Sequence, residues 1–205
     1  MLKVGLTGGY ATGKSFVAAE FERLGCYLIQ ADALGHSVLQ PGAAAYAPTA
    51  ELFGPEILLP DSTIDRKKLA SIVFDSPELL SRLNAIVHPA VFQLEEQMLA
   101  DFAARDPHGI VILEAAILIE TGRFAHYDKL IVTACDRETQ IARGIKRDGT
   151  TREAIVARLD KQLSLEEKKR YADFVIDTSG SKEDTVKQVK KIFFVLKQRA
   201  EAAAR

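Results

Sequence analysis

A glycine-rich stretch close to the N-terminus carries the residue types best suited to chemistry. Gly8, Gly13, Lys14 and Ser15 complete the pattern G-x-x-x-x-G-K-S, in which consecutive backbone N–H groups turn inward around the phosphates of a nucleotide. In such a phosphate loop the lysine reaches the β and γ phosphates, and the serine hydroxyl coordinates Mg²⁺. The sequence therefore predicts that Lys14 binds phosphate and that Ser15 binds the metal ion.

Two carboxylates are placed to complete such a site. Asp32 comes just after the second predicted strand, where it could accept the proton of a substrate hydroxyl as a general base. The alternative is that Asp32 caps the helix that follows. Glu114 follows an apolar run, the position from which a carboxylate approaches the metal, usually through water. The alternative for Glu114 is an ordinary surface residue at the end of a strand.

A basic segment from residue 137 to 170 holds ten of the 27 basic residues. Two helical faces carry its regularly spaced polar groups: Gln140, Arg143 and Arg147 at i, i+3 and i+7, and Arg158 with Gln162 at i and i+4. One interpretation is a solvated helical surface. The other is that Arg143 and Arg147 close over a nucleotide and neutralise the charge of a phosphoryl-transfer transition state. The nearby phosphate loop favours the second interpretation.

Five short apolar runs, separated by helical segments, predict the strands that position these groups. Continuous apolar runs are typical of a parallel sheet covered on both faces, so we predict an α/β fold with a three-layer core. Ligands of such sheets bind beyond the carboxyl ends of the strands, where the phosphate loop, Asp32 and Glu114 would emerge. The predicted strands are Leu2–Leu6, Cys26–Ile29, Ile110–Leu113, Lys129–Thr133 and Phe174–Ile176.

A long insertion separates the second and third strands. It spans about eighty residues, far more than one crossover helix needs, so we expect an inserted helical region. Ser76-Pro77 predicts a helix start, with a serine N-cap and a proline at the first helical position. We expect a further long helix to begin at His88-Pro89 and to run to about Arg105.

Charge and composition limit the partners. The chain has 205 residues and a formal net charge of -1, so the charge balance points neither to nucleic acid nor to an anionic membrane. We expect small-molecule substrates, and nothing in the sequence indicates an obligate protein partner. Cys26 and Cys135 lack metal-ligand spacing and are predicted to be buried, reduced thiols. The N-terminus is a hydrophobic strand rather than a signal sequence, so we expect a cytoplasmic protein.

A phosphate loop alone is compatible with a kinase, a GTPase, a mechanical ATPase or a nucleotide-gated regulator. A GTPase would carry an N-K-x-D guanine motif, but the only asparagine of the chain is Asn84, within a predicted helix. A motor or transporter ATPase usually needs a longer chain. These observations favour a small kinase.

Short blocks of residues along nearly the whole chain form one further pattern. They are Gly5-Leu6-Thr7-Gly8-Gly9 with Gly13-Lys14-Ser15, Ala31-Asp32, Pro41-Gly42, Phe53-Gly54, Ile64-Asp65-Arg66, Val73-Phe74, His88-Pro89, Ile117-Leu118-Ile119-Glu120, Gln140-x-x-Arg143 with Arg147-Asp148, Arg158-x-x-x-Gln162, and Ala172-Asp173-x-Val175-Ile176 with Gly180. In this order the blocks resemble the dephospho-coenzyme A kinase family. The chain departs from the family pattern at Gln30 and Phe16, where the family often has aspartate and threonine.

The resemblance implies a fold, a division of the chain and a reaction. The fold is a P-loop core of the adenylate kinase type with a parallel five-stranded sheet, formed by residues 1–30, 89–136 and 171–205. Residues 31–88 are implied to form a helical region that binds the acceptor, and residues 137–170 a helical lid. The reaction is transfer of the γ-phosphoryl group of Mg-ATP to the ribose 3′-hydroxyl of dephospho-coenzyme A, which completes coenzyme A.

The same resemblance assigns roles to residues. Asp32 matches the family's proposed base, and the catalytic set is implied to be Asp32, Lys14, Arg143 and Arg147. ATP is implied to bind Gly9, Tyr10, Ala11, Thr12, Gly13, Lys14, Ser15 and Phe16, with Ser15 on the metal. Acceptor contacts are implied for Asp32, Arg66, His88 and Glu120. The position of His88 before Pro89 predicts instead that it starts a helix.

Two other hypotheses stay open. One is a small-molecule kinase of the nucleoside monophosphate kinase type, although the aspartate-glycine-phenylalanine-proline-arginine signature of that type is absent after the third strand. The other is a nucleotide-binding regulator without turnover, against which intact Lys14, Ser15 and Asp32 argue.

Overall fold

The computed structural model describes residues 1–202, and the chain forms two compact units. One unit comprises Met1–Ile29 and the chain from Phe102 onward, and the other comprises Gln30–Asp101. Residues 203–205, the end of the third predicted core segment, lie outside the described residues. The first unit contains the sheet, and the second is mainly helical.

The first unit contains all five strands of the sheet, apart from Gln30 at the end of the second strand. The strands are β1 (Leu2–Gly8), β2 (Tyr27–Gln30), β3 (Ile110–Glu114), β4 (Lys129–Ala134) and β5 (Phe174–Asp177). The helices within residues 1–202 are α1 (Lys14–Arg23), α2 (Ala31–Ser37), α3 (Tyr46–Phe53), α4 (Arg66–Phe74), α5 (Pro77–Arg105), α6 (Arg137–Asp148), α7 (Arg152–Leu159), α8 (Leu165–Tyr171) and α9 (Lys182–Ala202). Short 3-10 turns lie at Pro55–Ile57 and Arg123–His126. Every predicted strand is present.

The five strands form one parallel sheet in the order β2-β3-β1-β4-β5, which confirms the predicted α/β fold. β3 is buried along its whole length, and β1 and β4 nearly so, because the sheet is covered on both faces. In the register of the sheet, Leu6 lies beside Glu114, and Gly8 lies beside Thr133. The carboxyl ends of β1, β3 and β4 therefore meet where β1 runs into the loop before α1.

Helices α1 and α9 cover one face of this sheet. Phe21 of α1 and Val189 and Leu196 of α9 are fully buried together with Val4 and Leu6 of β1. Each side chain of this size contributes about 1.5–3 kcal/mol when it is removed from water. The opposite face is covered by α8 and by the chain between β3 and β4, which completes the predicted three layers.

The second unit contains α2, α3, α4 and most of α5. The α4 helix begins after Asp65, whose carboxylate accepts hydrogen bonds from the N–H groups of Lys67 (3.0 Å) and Lys68 (3.1 Å). Each of the four helices contributes buried apolar side chains, among them Leu34, Phe53, Leu69, Val73 and Val91. No helix within residues 1–202 combines the length and the apolar character that a membrane crossing requires.

Helix α5 corrects part of the prediction. Its start is confirmed, because the Ser76 hydroxyl accepts a hydrogen bond from the N–H of Leu79 (3.2 Å). The helix then continues through Pro89, so the predicted second start at His88-Pro89 is wrong. A proline inside a helix costs about 3 kcal/mol, because it removes one hydrogen bond and crowds the preceding turn. Ala90 and Val91 are buried directly after the proline, and this packing offsets the cost.

Candidate active site

The loop between β1 and α1 has the backbone of a phosphate-binding loop. Gly13 is left-handed with a φ of 82°, and Ala11 takes the same region at 57°, which is strained for a residue with a side chain. At Gly8 a Cβ atom would lie 2.2 Å from the hydroxyl of Thr133, so only glycine fits against β4. The Thr12 hydroxyl closes the loop with a hydrogen bond of 2.8 Å to the carbonyl of Gly9.

The start of α1 offers a site for an anion. Within the described chain no side chain caps this helix, whose N-cap residue is Gly13, so its first N–H groups and its positive dipole end face the loop. The Lys14 ammonium donates to the carbonyls of Gly9 (2.9 Å) and Gly8 (3.3 Å). It therefore folds back over the loop. These groups together present positive charge and N–H donors of the kind that bind phosphate.

Ser15 and Glu114 lie together at the carboxyl ends of the central strands. The exposed Ser15 hydroxyl donates a hydrogen bond of 2.7 Å to Oε1 of Glu114, and Glu114 is 9% exposed. A hydroxyl beside a carboxylate supplies the hard oxygen ligands that Mg²⁺ prefers. No group of three or more His, Cys, Asp or Glu residues in the described chain forms a metal cage. This pair therefore fits an ion that takes its remaining ligands from substrate phosphates and water.

Helix α6 turns its predicted face toward the phosphate loop. The Gln140 amide donates to the carbonyl of Tyr10 (2.7 Å). Arg143 donates to the hydroxyl (3.1 Å) and the carbonyl (2.6 Å) of Thr178, and this hydroxyl donates in turn to the carbonyl of Thr12 (2.9 Å). Arg143 is therefore connected to the phosphate loop through Thr178. The capping of α6 by Asp136, which accepts from the N–H of Thr139 (2.8 Å), fixes where this face begins.

Arg147 lies over the ring of Tyr10, with the guanidinium carbon 4.6 Å from the ring centre. Its Nε donates to Asp148 (2.8 Å), and the Tyr10 hydroxyl also donates to Asp148. The hydrogen bond from Arg147, aided by the one from Tyr10, holds the pKa of Asp148 well below its ordinary value. Arg147 is therefore held on the side chain of a phosphate-loop residue in this structure.

The second predicted face also reaches Tyr10. Arg158 contacts Asp148 and donates to the Tyr10 hydroxyl (3.2 Å), while the Gln162 carbonyl oxygen accepts from the Tyr10 N–H (3.0 Å). The ring of Tyr10 packs on a small apolar cluster of the helical segment, whose members are Ile141, Ile145, Ile155, Val156 and Leu159. A Cβ atom at Gly144 would lie 2.8 Å from this ring. Tyr10 therefore joins the phosphate loop to α6 and α7.

Phe16 follows the loop on α1, and the Lys182 ammonium lies 5.4 Å from the centre of its ring. This cation–π contact links the start of α1 to the start of α9. The role of Phe16 in binding ATP stays a prediction.

Lys168 belongs to this site, and the sequence analysis missed it. Its side chain is fully buried, and its ammonium contacts Glu120 Oε1 (2.8 Å) and the carbonyls of Ala116 (3.1 Å) and Gly8 (3.4 Å). Glu120, predicted as an acceptor contact, also accepts from the N–H of Leu163 (3.3 Å). Lys168 stands among charged residues on a short helix, a pattern typical of a solvated surface, so the sequence carried no signal of its burial.

The remaining predicted residues lie in the second unit. Asp32 is the second residue of α2 and is exposed. The N-cap of α2 is Gln30, so the interpretation of Asp32 as an N-cap is wrong. Arg66 contacts the imidazole of His36 on the surface of this unit. His88 is exposed in the middle of α5, with its ring centre 6.1 Å from that of Phe92, so it does not start a helix.

A cavity of about 780 Å³ opens at the carboxyl ends of β4 and β5. Its wall includes Gly9 and Gln140 beside the phosphate loop, and residues 159 and 162–166 between α7 and α8 form another part. Cys135 also lines it, and burial raises the pKa of this thiol. Both cysteines are free and buried, as predicted.

The family model and the sequence relatives agree on one family. The family model described as dephospho-CoA kinase matches residues 2–184. A dephospho-CoA kinase of Geobacter metallireducens is 46% identical over 92% of this chain and 94% of its own length. One of Aquifex aeolicus is 44% identical over 94% of this chain and 96% of its own. The solved dephospho-CoA kinase of Campylobacter jejuni superposes with a TM-score of 0.72 at 29% identity, covering 96% of this chain and 97% of that one.

Proposed function

The chain belongs to the dephospho-CoA kinase family, and on that premise we propose that it transfers the γ-phosphoryl group of ATP to the ribose 3′-hydroxyl of dephospho-coenzyme A. The products are coenzyme A and ADP. The observation that carries this proposal is the family match over residues 2–184, which spans the phosphate loop and both predicted helical insertions.

The phosphate loop binds ATP through Gly9–Phe16 in this proposal. Lys14 leaves the carbonyls of Gly8 and Gly9 and turns to the β and γ phosphates, while the uncapped start of α1 faces the anion. Ser15 and Glu114 would hold Mg²⁺, directly or through water. When bound, Mg²⁺ supplies positive charge that offsets the charge of the phosphates during transfer.

Arg143 and Arg147 act on the transferring phosphoryl group. Both extend from the face of α6 that contacts the loop, through Thr178 for Arg143 and through the Tyr10 ring for Arg147. If both arginines exchanged these contacts for phosphate oxygens, two guanidinium groups would stabilise the negative charge of the transition state. The segment 137–170 would then serve as the lid, and it would also exclude water from the reacting groups.

Asp32 serves as the base. The acceptor oxygen attacks the γ phosphorus, the bond between this phosphorus and the β–γ bridging oxygen breaks, and the hydroxyl proton passes to the Asp32 carboxylate. The exposure of Asp32 and its freedom from a capping role support this assignment. Segment 31–88 would bind the acceptor, with Arg66 and His88 as candidate contacts and Glu120 as a third from the first unit.

The test is ADP release from ATP with dephospho-coenzyme A, nucleoside monophosphates and adenosine as parallel acceptors. We expect turnover with dephospho-coenzyme A, and phosphorylation at the 3′-hydroxyl identified by mass spectrometry and phosphorus NMR. Faster turnover with a nucleoside monophosphate would favour the other kinase type, and ATP binding without turnover would favour a regulator. The cytoplasmic location and the absence of nucleic-acid, membrane and obligate protein partners stay predictions.

A further inference from the structure

Lys168 is a fully buried lysine whose ammonium bridges three segments. Its acceptors are Glu120 in the connection between β3 and β4, the carbonyl of Ala116 just after β3, and the carbonyl of Gly8 where the phosphate loop begins. An ammonium has three hydrogens to donate, and three acceptors lie within hydrogen-bond distance. Each hydrogen of the Lys168 ammonium therefore has an acceptor.

The helix that carries Lys168 is fixed at its start. In α8 the Ser164 hydroxyl accepts from the N–H of Glu167 (3.2 Å), and the Glu167 carboxylate accepts from the N–H of Ser164 (3.1 Å). This capping box holds the first turn rigid. The backbone that carries Lys168 is therefore fixed, and burial and three acceptors hold its ammonium in place.

A buried ammonium is costly unless it is paired. Glu120 supplies the negative charge at 2.8 Å, but its side chain is 21% exposed, whereas that of Lys168 is fully buried. Water therefore screens the carboxylate more than the ammonium. The ammonium lies 3.4 Å from the carbonyl oxygen of Gly8, so its charge acts on the start of the phosphate loop.

Two ammonium groups share one oxygen of this loop. Lys14 lies 3.3 Å and Lys168 lies 3.4 Å from the carbonyl oxygen of Gly8, so the two nitrogens are within about 7 Å of each other, a distance at which like charges repel appreciably in a protein interior. An anion bound between them relieves this repulsion. When Lys14 turns away, the Gly8 carbonyl keeps a donor.

We propose that Lys168 is a positioning residue for phosphoryl transfer, which holds the Gly8 carbonyl in place while Lys14 moves to the phosphates and adds a fixed positive charge behind the loop. The inference rests on the proposed function for the identity of the reaction. It assigns to the ion pair of Glu120 and Lys168 a role in binding phosphate.

The experiment compares Lys168→Met with Lys187→Met. Methionine keeps the length of the side chain without the charge, and Lys187 is the control because it is exposed, lies outside the cavity and forms an ion pair with Asp184 on its own helix, α9. Equilibrium binding of ATP and of adenosine is measured by calorimetry, followed by kcat and KM. For Lys168→Met we expect a loss of about tenfold or more in ATP affinity, unchanged adenosine affinity and a lower kcat. Lys187→Met should match the wild type in all of these.

A merely structural lysine would give a different pattern. A lower melting temperature with unchanged ATP affinity and kcat, or equal losses for ATP and adenosine, would overturn the proposal. If Lys168→Met does not fold, Glu120→Gln combined with Lys168→Met removes both charges together, and the same ratio of ATP to adenosine affinity decides. Because that ratio needs no acceptor, it tests Lys168 even if the wild-type protein fails to phosphorylate dephospho-coenzyme A.

Discussion

Replacement of Arg143 by alanine separates the catalytic from the structural role of the predicted lid. Arg143 makes two hydrogen bonds, both to Thr178. Because the donor is charged, each contributes about 1.5 kcal/mol to stability in this half-buried place. We therefore expect the free energy of unfolding to fall by about 3 kcal/mol, which lowers the melting temperature of a chain of this length by roughly 6–12 °C.

The catalytic effect should be larger. An arginine that contacts the transferring phosphoryl group is worth about 10³-fold or more in kcat, or roughly 4 kcal/mol. The assay is steady-state ADP release at saturating ATP and dephospho-coenzyme A, well below the melting temperature of the variant. The expected loss in kcat therefore exceeds what partial unfolding could cause.

Arg152→Ala is the matched control. Arg152 lies in the same segment, outside the cavity, and its ion pair with Glu138 (2.6 Å) is more than half exposed on both sides. Such pairs contribute at most about 1 kcal/mol. Its kcat should equal that of the wild type. Wild-type kcat in folded Arg143→Ala, with only the melting temperature lowered, would refute the catalytic assignment and leave Arg143 as a tie to Thr178.

Three further predictions concern other groups of the molecule. Lys14→Ala should lower kcat/KM by about 10²-fold or more in the same assay, because the lysine contacts the phosphates where charge redistributes; near-wild-type turnover would remove the loop from the mechanism. Asp32→Asn should lower kcat by about 10²–10⁴-fold with an unchanged ATP dissociation constant and melting temperature, because Asp32 is exposed and does not cap α2. More than about a third of wild-type kcat in that variant would show that the base lies elsewhere. Burial raises the pKa of the Cys26 thiol from 9.0 to about 12, so iodoacetamide should label Cys26 only after unfolding. Rapid labelling of Cys26 in the native protein would contradict its burial. The free energy of unfolding should also fall as the pH rises above about 9, since the unfolded chain then releases a proton that the folded chain keeps.

The sequence was sufficient for the strands and for the phosphate loop. Strands β1, β3 and β4 are buried along nearly their whole length, so each reads as an unbroken apolar run. The faces of α6 and α7 were also predictable from spacing alone. The spacing could not predict the partner of Arg143. Thr178 is 35 residues away in the sequence and comes close to Arg143 only in the folded chain.

Two features required the structure. Pro89 interrupts the helical pattern of α5 and locally predicts the end of a helix. The burial of Ala90 and Val91 stabilises the helix beyond this point. Lys168 has charged neighbours on both sides, and its burial depends on contacts 52 and 160 residues away at Ala116 and Gly8. Both failures have one cause, since long-range packing decided against a local preference.

Tyr10 has a consequence for local unfolding. Its ring is part of the small apolar cluster of α6 and α7, while its own N–H and carbonyl bind Gln162 and Gln140. The helical segment therefore cannot detach from the sheet without exposing this ring and releasing the phosphate loop. Hydrogen exchange should report this coupling: a nucleotide that orders residues 9–15 should slow amide exchange in α7, even where it makes no contact with that helix.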